Sequence, residues 1–180
     1  MASNANVDII FHGDRLFMAW RTAPYHFASS DTIMYLVSSL DGGTTWDYEG
    51  EIDLDSDLRE PRFISINGTL QLIFFEAGVN PIAFEPVRIW RTFRNDLGDW
   101  SPLEILIDEP EVPWDVKVRG GVAWMTSYLG NHYEEWGEGE IELYFKYSTD
   151  GLTWHHVDDA PYVYFGGVSE AAFEFDEMGD

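Results

Sequence analysis

A turn that returns at a fixed interval constrains this chain more than any other feature. Ser39-Leu40-Asp41-Gly42-Gly43-Thr44-Thr45-Trp46 comes back, one residue shorter, as Ser148-Thr149-Asp150-Gly151-Leu152-Thr153-Trp154. A worn copy lies between them, at Asn95-Asp96-Leu97-Gly98-Asp99-Trp100. The tryptophans are evenly spaced, since 100 − 46 = 54 and 154 − 100 = 54. A period of this size marks repeated supersecondary units. Asp41 and Asp150 are placed to accept hydrogen bonds from backbone N–H groups just ahead of them, and the glycines allow positive φ. The tryptophan then opens the next strand and is expected to bury its ring against the sheet, with Trp100 less buried than Trp46 and Trp154. Aspartate in such a turn serves the backbone rather than a substrate.

The apolar runs on either side repeat with the turns. Val7–Phe11, Arg15–Trp20, Thr32–Ser38 and Trp46–Ile52 read as four strands. Pro61–Ile66, Thr69–Phe75, Val87–Phe93 and Trp100–Ile107 read as the next four, with Asn67-Gly68 as a hairpin turn. Val116–Val118, Val122–Tyr128, Ile141–Tyr147 and Trp154–Val157 follow. Residues 1–6 read as a tail. No stretch keeps a helical period, and four strands per unit predict an all-β chain built as β-propeller blades. The blades are expected at 7–52, 60–107 and 114–158, in one domain spanning 1–180, with the first strand of a fourth at 169–180. Propellers close with four to eight blades. The chain is therefore expected to be part of a longer propeller or to self-associate through its incomplete edges. The competing β-sandwich fits the even period less well.

Composition narrows the function. Ten basic against 33 acidic residues give a formal net charge of −23, which disfavours nucleic acid and anionic membrane surfaces as partners. Eight Trp, nine Tyr and twelve Phe exclude a disordered chain. The absence of cysteine excludes disulfide and thiolate chemistry. No apolar run reaches membrane-spanning length and no signal peptide is visible, so the compartment is left open between cytoplasm and export. Asp53-x-Asp55-x-Asp57 begins like a calcium loop but has Leu58 at its sixth position and Ile64 at its twelfth. No zinc spacing and no phosphate loop are present, so no metal or cofactor is expected.

Carboxylates recur with the repeat. Glu60, Asp115 and Glu170 head three successive innermost strands, with 115 − 60 = 55 and 170 − 115 = 55. The first unit would need an equivalent near Ala5, where there is none. In a propeller these positions ring one mouth of the central channel, about 6–10 Å apart, within the range of glycosidase acid/base pairs. Arg59, Arg62, Lys117 and Arg119 flank them. The bland reading is ion pairing that holds blades together. The long loops after each second strand belong beside the same mouth. They carry Arg21, Tyr25, His26 and Asp31 in the first unit, Glu76, Phe84 and Glu85 in the second, and Asn131 to Trp136 in the third. Aromatics mixed with carboxylates and amides suit sugar rings, which offer apolar faces and hydroxyl edges. His26 and Trp114 join the arginines as substrate-binding candidates.

Ser-x-Asp-x-Gly-x-Thr-Trp resembles the Asp-box, or BNR repeat, of the sialidase family and other Asp-box β-propellers. The resemblance implies a sialidase-type propeller and a carbohydrate ligand; in that family the box is structural and lies away from the active site. Trp20-Arg21, the loop to Asp31 and the box match the order of an early sialidase blade. That places Asp31 near the family's acid/base aspartate and Arg21 near its substrate-binding arginine. Ser169-Glu170 resembles the segment whose glutamate activates the tyrosine nucleophile. No Arg-Ile-Pro motif precedes the first blade, and the blades carrying the tyrosine and the last arginine are absent. Arg59-Glu60-Pro61 also resembles the Arg-Asp-Pro of five-bladed glycosidases such as fructosidases and arabinanases. The expected function is a glycoside hydrolase-like propeller with Asp31, Glu60, Asp115 and Glu170 as catalytic candidates. Arg21, Arg59, Arg62, Arg119, His26 and Trp114 are its substrate-binding candidates. The alternative is a non-catalytic glycan-binding or scaffold propeller.

Overall fold

The computed structural model describes residues 2–131, 140–157 and 160–176. Three antiparallel sheets follow one another along the chain. The first holds β1 (Ser3–His12), β2 (Arg15–Ala23), β3 (Ile33–Ser39) and β4 (Asp47–Ile52) in that order. The second holds β5 (Asp57–Ile66), β6 (Thr69–Ala77), β7 (Pro86–Arg94) and β8 (Glu104–Ile107). The third holds β9 (Glu111–Arg119), β10 (Val122–Leu129), β11 (Ile141–Ser148) and β12 (His155–His156). A further strand, β13 (Tyr164–Gly166), pairs with the start of β11. Sequence patterning did not indicate β13.

The sheets stack face to face. One core lies between the first and second sheets and includes Phe17, Met34, Leu36, Phe63, Leu70, Leu72 and Phe74. Another lies between the second and third and includes Ile64, Ile73, Phe75, Ile89, Met125 and Ile141. In β6 successive residues serve opposite cores, so Leu70-Gln71-Leu72-Ile73-Phe74-Phe75 is buried throughout. That is why the run is nearly continuous in apolar residues rather than alternating. The first sheet keeps one face open, and Val7, Ile9 and Phe11 of β1 stand exposed along it.

The recurrent turns join the third and fourth strands. Asp41 Oδ1 accepts from Thr45 N at 2.8 Å, and Asp150 Oδ1 from Leu152 N and Thr153 N at 2.8 Å. In the worn copy Asn95 Oδ1 does the same work for Leu97 N and Asp99 N. These bonds hold Asp41 and Asp150 down at about 2. The turn of the third sheet also ties down the second, where Asn67 Nδ2 donates to Thr149 O and Gln71 Nε2 to Asp150 O.

Three expectations need correction. Residues 3–6 are not a tail, because Ser3, Asn4 and Ala5 pair with Ala23, Thr22 and Arg21. Trp46 is 36% exposed and lies over its own turn at Gly43, whereas Trp100 and Trp154 pack against the two cores. Trp100 and Trp154 each face the sheet before their own, and the corresponding face of the first sheet is the open one. Residues 171–176 form no ladder. They lie on the third sheet through Phe173 against Phe145 and Phe175 against Trp124, at ring separations of 5.1 and 5.9 Å.

Candidate functional site

The innermost strands β1, β5 and β9 each carry an irregularity at the same height. In β1 the pairing skips Asn6, in β5 it skips Glu60 and Pro61, and in β9 it skips Trp114. Asn6, Glu60 and Glu170 share a left-handed backbone, with φ of 49°, 48° and 60°. Such φ values are costly outside glycine and gather where surrounding structure enforces them. The spacings are 60 − 6 = 54 and 114 − 60 = 54, so the bulge follows the same period as the turns. The first unit therefore does have a member in this series, Asn6. It was missed because residues 1–6 read as a tail.

The side chains at these bulges meet. Asn6 Nδ2 donates to Glu60 Oε1, and Arg62 NH2 donates to Glu60 Oε2 at 2.8 Å. Arg62 also gives Nε to Trp114 O and stands 5.8 Å from the Trp114 ring centre. Glu60 is buried, with 8% of its surface exposed. Burial pushes its carboxyl above the ordinary glutamate value; Glu170 adds to that rise, while Arg62 and Arg59 oppose it. Glu170 itself is exposed. The charge of the exposed Glu170 thus acts on a buried carboxyl.

Asp115 stands elsewhere. The bulge at Trp114 moves it one step down the strand, where it pairs with Thr126. Its Oδ2 accepts from Lys117 Nζ at 2.8 Å and from Phe173 N at 3.1 Å. Asp8 does the equivalent job in the first sheet, accepting from Phe63 N at 2.6 Å. Burial raises Asp8, and the Asp115 charge adds to this. So these two aspartates each clamp the next inner segment. Below them is a cleft of about 400 Å³, lined among others by Asp8, Phe63, Lys117, Arg119 and Phe175.

The remaining predicted residues divide by role. Arg21 is wholly buried. Its Nε donates to Asp57 Oδ1 at 2.7 Å, and its guanidinium reaches Tyr25 O and Phe27 O. It fastens its own loop and the head of the next sheet, a placement with no surface left for a ligand. Arg59 donates to Asp57 Oδ2 and to His26 O. His26 stands exposed beside Phe27. Asp31 is exposed at the end of the same loop, its N–H on Ser29 Oγ. Arg119 donates to Asp176 O and lies over the Phe175 ring. The candidates His132, Tyr133, Glu134, Glu135 and Trp136 lie outside the described residues. The sequence marks Asp57 only as part of the failed calcium loop, although 111 − 57 = 54. Its counterpart Glu111 is likewise a buried carboxylate heading an inner strand, paired with Lys146 at 2.6 Å. Among the described residues, no cluster of three or more potential metal ligands occurs.

No protein-family model and no curated protein matches the chain. Solved structures do resemble it. An α-L-arabinanase from Penicillium chrysogenum, complexed with arabinobiose, superposes with a TM-score of 0.55 at 19% identity, over 79% of this chain and 45% of that one. A xylan β-1,4-xylosidase from Bacillus halodurans gives 0.59 at 12% identity, over 89% and 31%. An α-L-arabinanase from Cellvibrio cellulosa gives 0.56 at 12% identity, over 87% and 55%. At these identities the likeness shows the fold: an all-β propeller shared with glycoside hydrolases. The chain spans between 31% and 55% of the length of these structures.

Proposed function

We propose that the mouth formed by Asn6, Glu60, Trp114 and Glu170 is a carbohydrate site of glycoside-hydrolase type. In this reading Glu60 is the proton donor to the departing glycosidic oxygen, and Glu170 is the second carboxyl that acts opposite it. The observation that carries the reading is the unequal pair. Glu60 is buried and raised, and Glu170 is exposed and near enough to raise it further. A carboxyl raised by burial beside a second, exposed carboxyl is the kind of pair that acid/base glycoside cleavage uses.

The ligand in this reading is a neutral sugar. A sialic acid carboxylate calls for an arginine cluster. Arg21, Arg59, Arg62 and Arg119 each donate to protein acceptors instead. The exposed His26–Phe27 pair offers ring faces for stacking. The fold's likeness to arabinan- and xylan-acting propellers makes pentosides the first substrates to try.

A second reading has its own support. Both oxygens of Glu60 already accept hydrogen bonds, from Asn6 and Arg62, which suits a rigid binding surface as well as an acid. Turnover separates the two. Hydrolysis of 4-nitrophenyl α-L-arabinofuranoside and β-D-xylopyranoside is to be followed with the wild type, Glu60→Gln and Glu170→Gln. The hydrolase reading expects a loss of about 10²–10⁴-fold for each variant with the fold intact. Sugar binding without turnover in the wild type would favour the glycan-binding reading.

A further inference from the structure

We propose that the open face of the first sheet docks on a second copy of this chain, against the outer face of that copy's third sheet, in the place its residues 170–176 occupy. The inference goes beyond the carbohydrate reading and does not depend on it.

The repeat shows what kind of surface fits the open face. Val7, Ile9 and Phe11 stand 59%, 52% and 64% exposed along β1. Val7 and Ile9 pair with Trp20 and Met18 of β2, so the apolar surface continues across the sheet, and none of these five residues carries a charge. A contiguous apolar surface marks an interaction site. Ile9, Phe63 and Phe173 each follow a left-handed residue by three, Asn6, Glu60 and Glu170, since 9 − 6 = 63 − 60 = 173 − 170 = 3. Phe63 meets the first sheet, with Phe17 at a ring separation of 6.5 Å, and Asp8 holds its N–H. Phe173 meets the third sheet, with Phe145 at 5.1 Å, and Asp115 holds its N–H. The same position is thus covered twice by the face of the sheet before it. Ile9 meets no sheet among the described residues.

A second copy carries the matching face, and that face is lightly filled. Residues 170–176 form no ladder on the third sheet. Besides the rings of Phe173 and Phe175, they are held by Thr126 donating to Ala171 O, Lys117 to Phe173 O and Arg119 to Asp176 O. Those three bonds go to backbone carbonyls, which any inner strand supplies. The strand β1, backed by its whole sheet, buries more apolar surface there than a segment without a ladder. Each copy gives one face and receives one, so a two-fold pair closes on itself with six sheets, within the four to eight of propellers. In the pair the partner's Asn6 takes the place of Glu170, so the mouth that holds Glu170 belongs to the unpaired chain.

The test is the mass of the full chain in solution. Two copies share a net charge of −23 each, so the measurement is made at about 0.5 M salt, where their repulsion is screened. Sedimentation equilibrium from about 1 μM to about 1 mM chain covers the affinities at issue. The wild type is expected to pass from 20.7 kDa to twice that mass. Ile9→Lys and Phe11→Lys would bury an unpaired charge in the pair, and each is expected to weaken it at least about tenfold. Both side chains are exposed in the single chain, so the fold should persist, as circular dichroism would verify. Phe173→Ala loosens the segment that competes for the third sheet, and is expected to tighten the pair at least about threefold. A wild type that stays at 20.7 kDa throughout overturns the pairing, as does a dimer that either lysine variant leaves intact. A dimer that both lysine variants weaken, but that Phe173→Ala leaves unchanged or weakens, overturns the docking on the third sheet and means that two open faces meet. Growth past the dimer into longer assemblies overturns its closure.

Discussion

Glu60 concentrates the physical tension in this molecule. Its carboxyl is removed from water, hydrogen-bonded on both oxygens, held in a left-handed backbone and placed near a second glutamate. Burial dominates, so its folded pKa lies above the ordinary value of 4.5. For a group raised on folding, the folded state binds the proton more tightly. The stability it contributes is therefore full at low pH and is lost as pH rises through the folded pKa. Removing the Glu170 charge removes one of the causes of the rise. Glu170→Gln is thus expected to lower the Glu60 pKa, and carbon-detected NMR of the glutamate carboxyls over pH 3–9 would read the shift. A Glu60 titration at the ordinary value, unmoved by Glu170→Gln, would contradict the assigned pairing.

Between elements, the heads of the inner strands do the fastening. Asp57 draws together Arg21 from the first sheet, Arg59 from its own strand and the Thr32 hydroxyl. Arg21 and Asp57 are both wholly buried, so removing Arg21 leaves Asp57 with only Arg59 and Thr32 and strips the Tyr25 and Phe27 carbonyls of their donor. Arg21→Met is expected to destabilise the chain by about 3–5 kcal/mol. Urea denaturation would measure it, and a loss below about 1 kcal/mol would show that Arg21 is not the fastener described.

The strand positions were readable from sequence because the turns are local chemistry, and Asp41, Asn95 and Asp150 announce them. The 54-residue period was readable for the same reason. Register at the mouth was harder. A single extra residue in each inner strand shifts every side chain after it, so an offset of 55 pointed to Asp115 where the bulge residue is Trp114. Asn6 kept the period of 54 but carries no charge and lies near the chain start. Arg21 reads as a ligand group in the sequence, which shows charge and not burial, and it is wholly buried. Trp46 was expected inside because its turn is well formed, yet a turn does not determine what covers the ring beside it.

At the scale of the molecule, three sheets stacked through two apolar cores bring the ends of β1, β5 and β9 together. The turns that identify the repeat lie at the opposite ends of the strands. Stacking is what turns a repeat in sequence into one site, since no single sheet holds more than one of Asn6, Glu60 and Trp114. The central claim is that a neutral sugar occupies this mouth, and a crystal structure of the chain soaked with arabinobiose tests it most directly. The account predicts the disaccharide within hydrogen-bonding distance of Glu60, with Glu170 facing it. A sugar bound instead along the exposed aromatics of β13, Tyr164 and Phe165, with the mouth filled only by water, would contradict it.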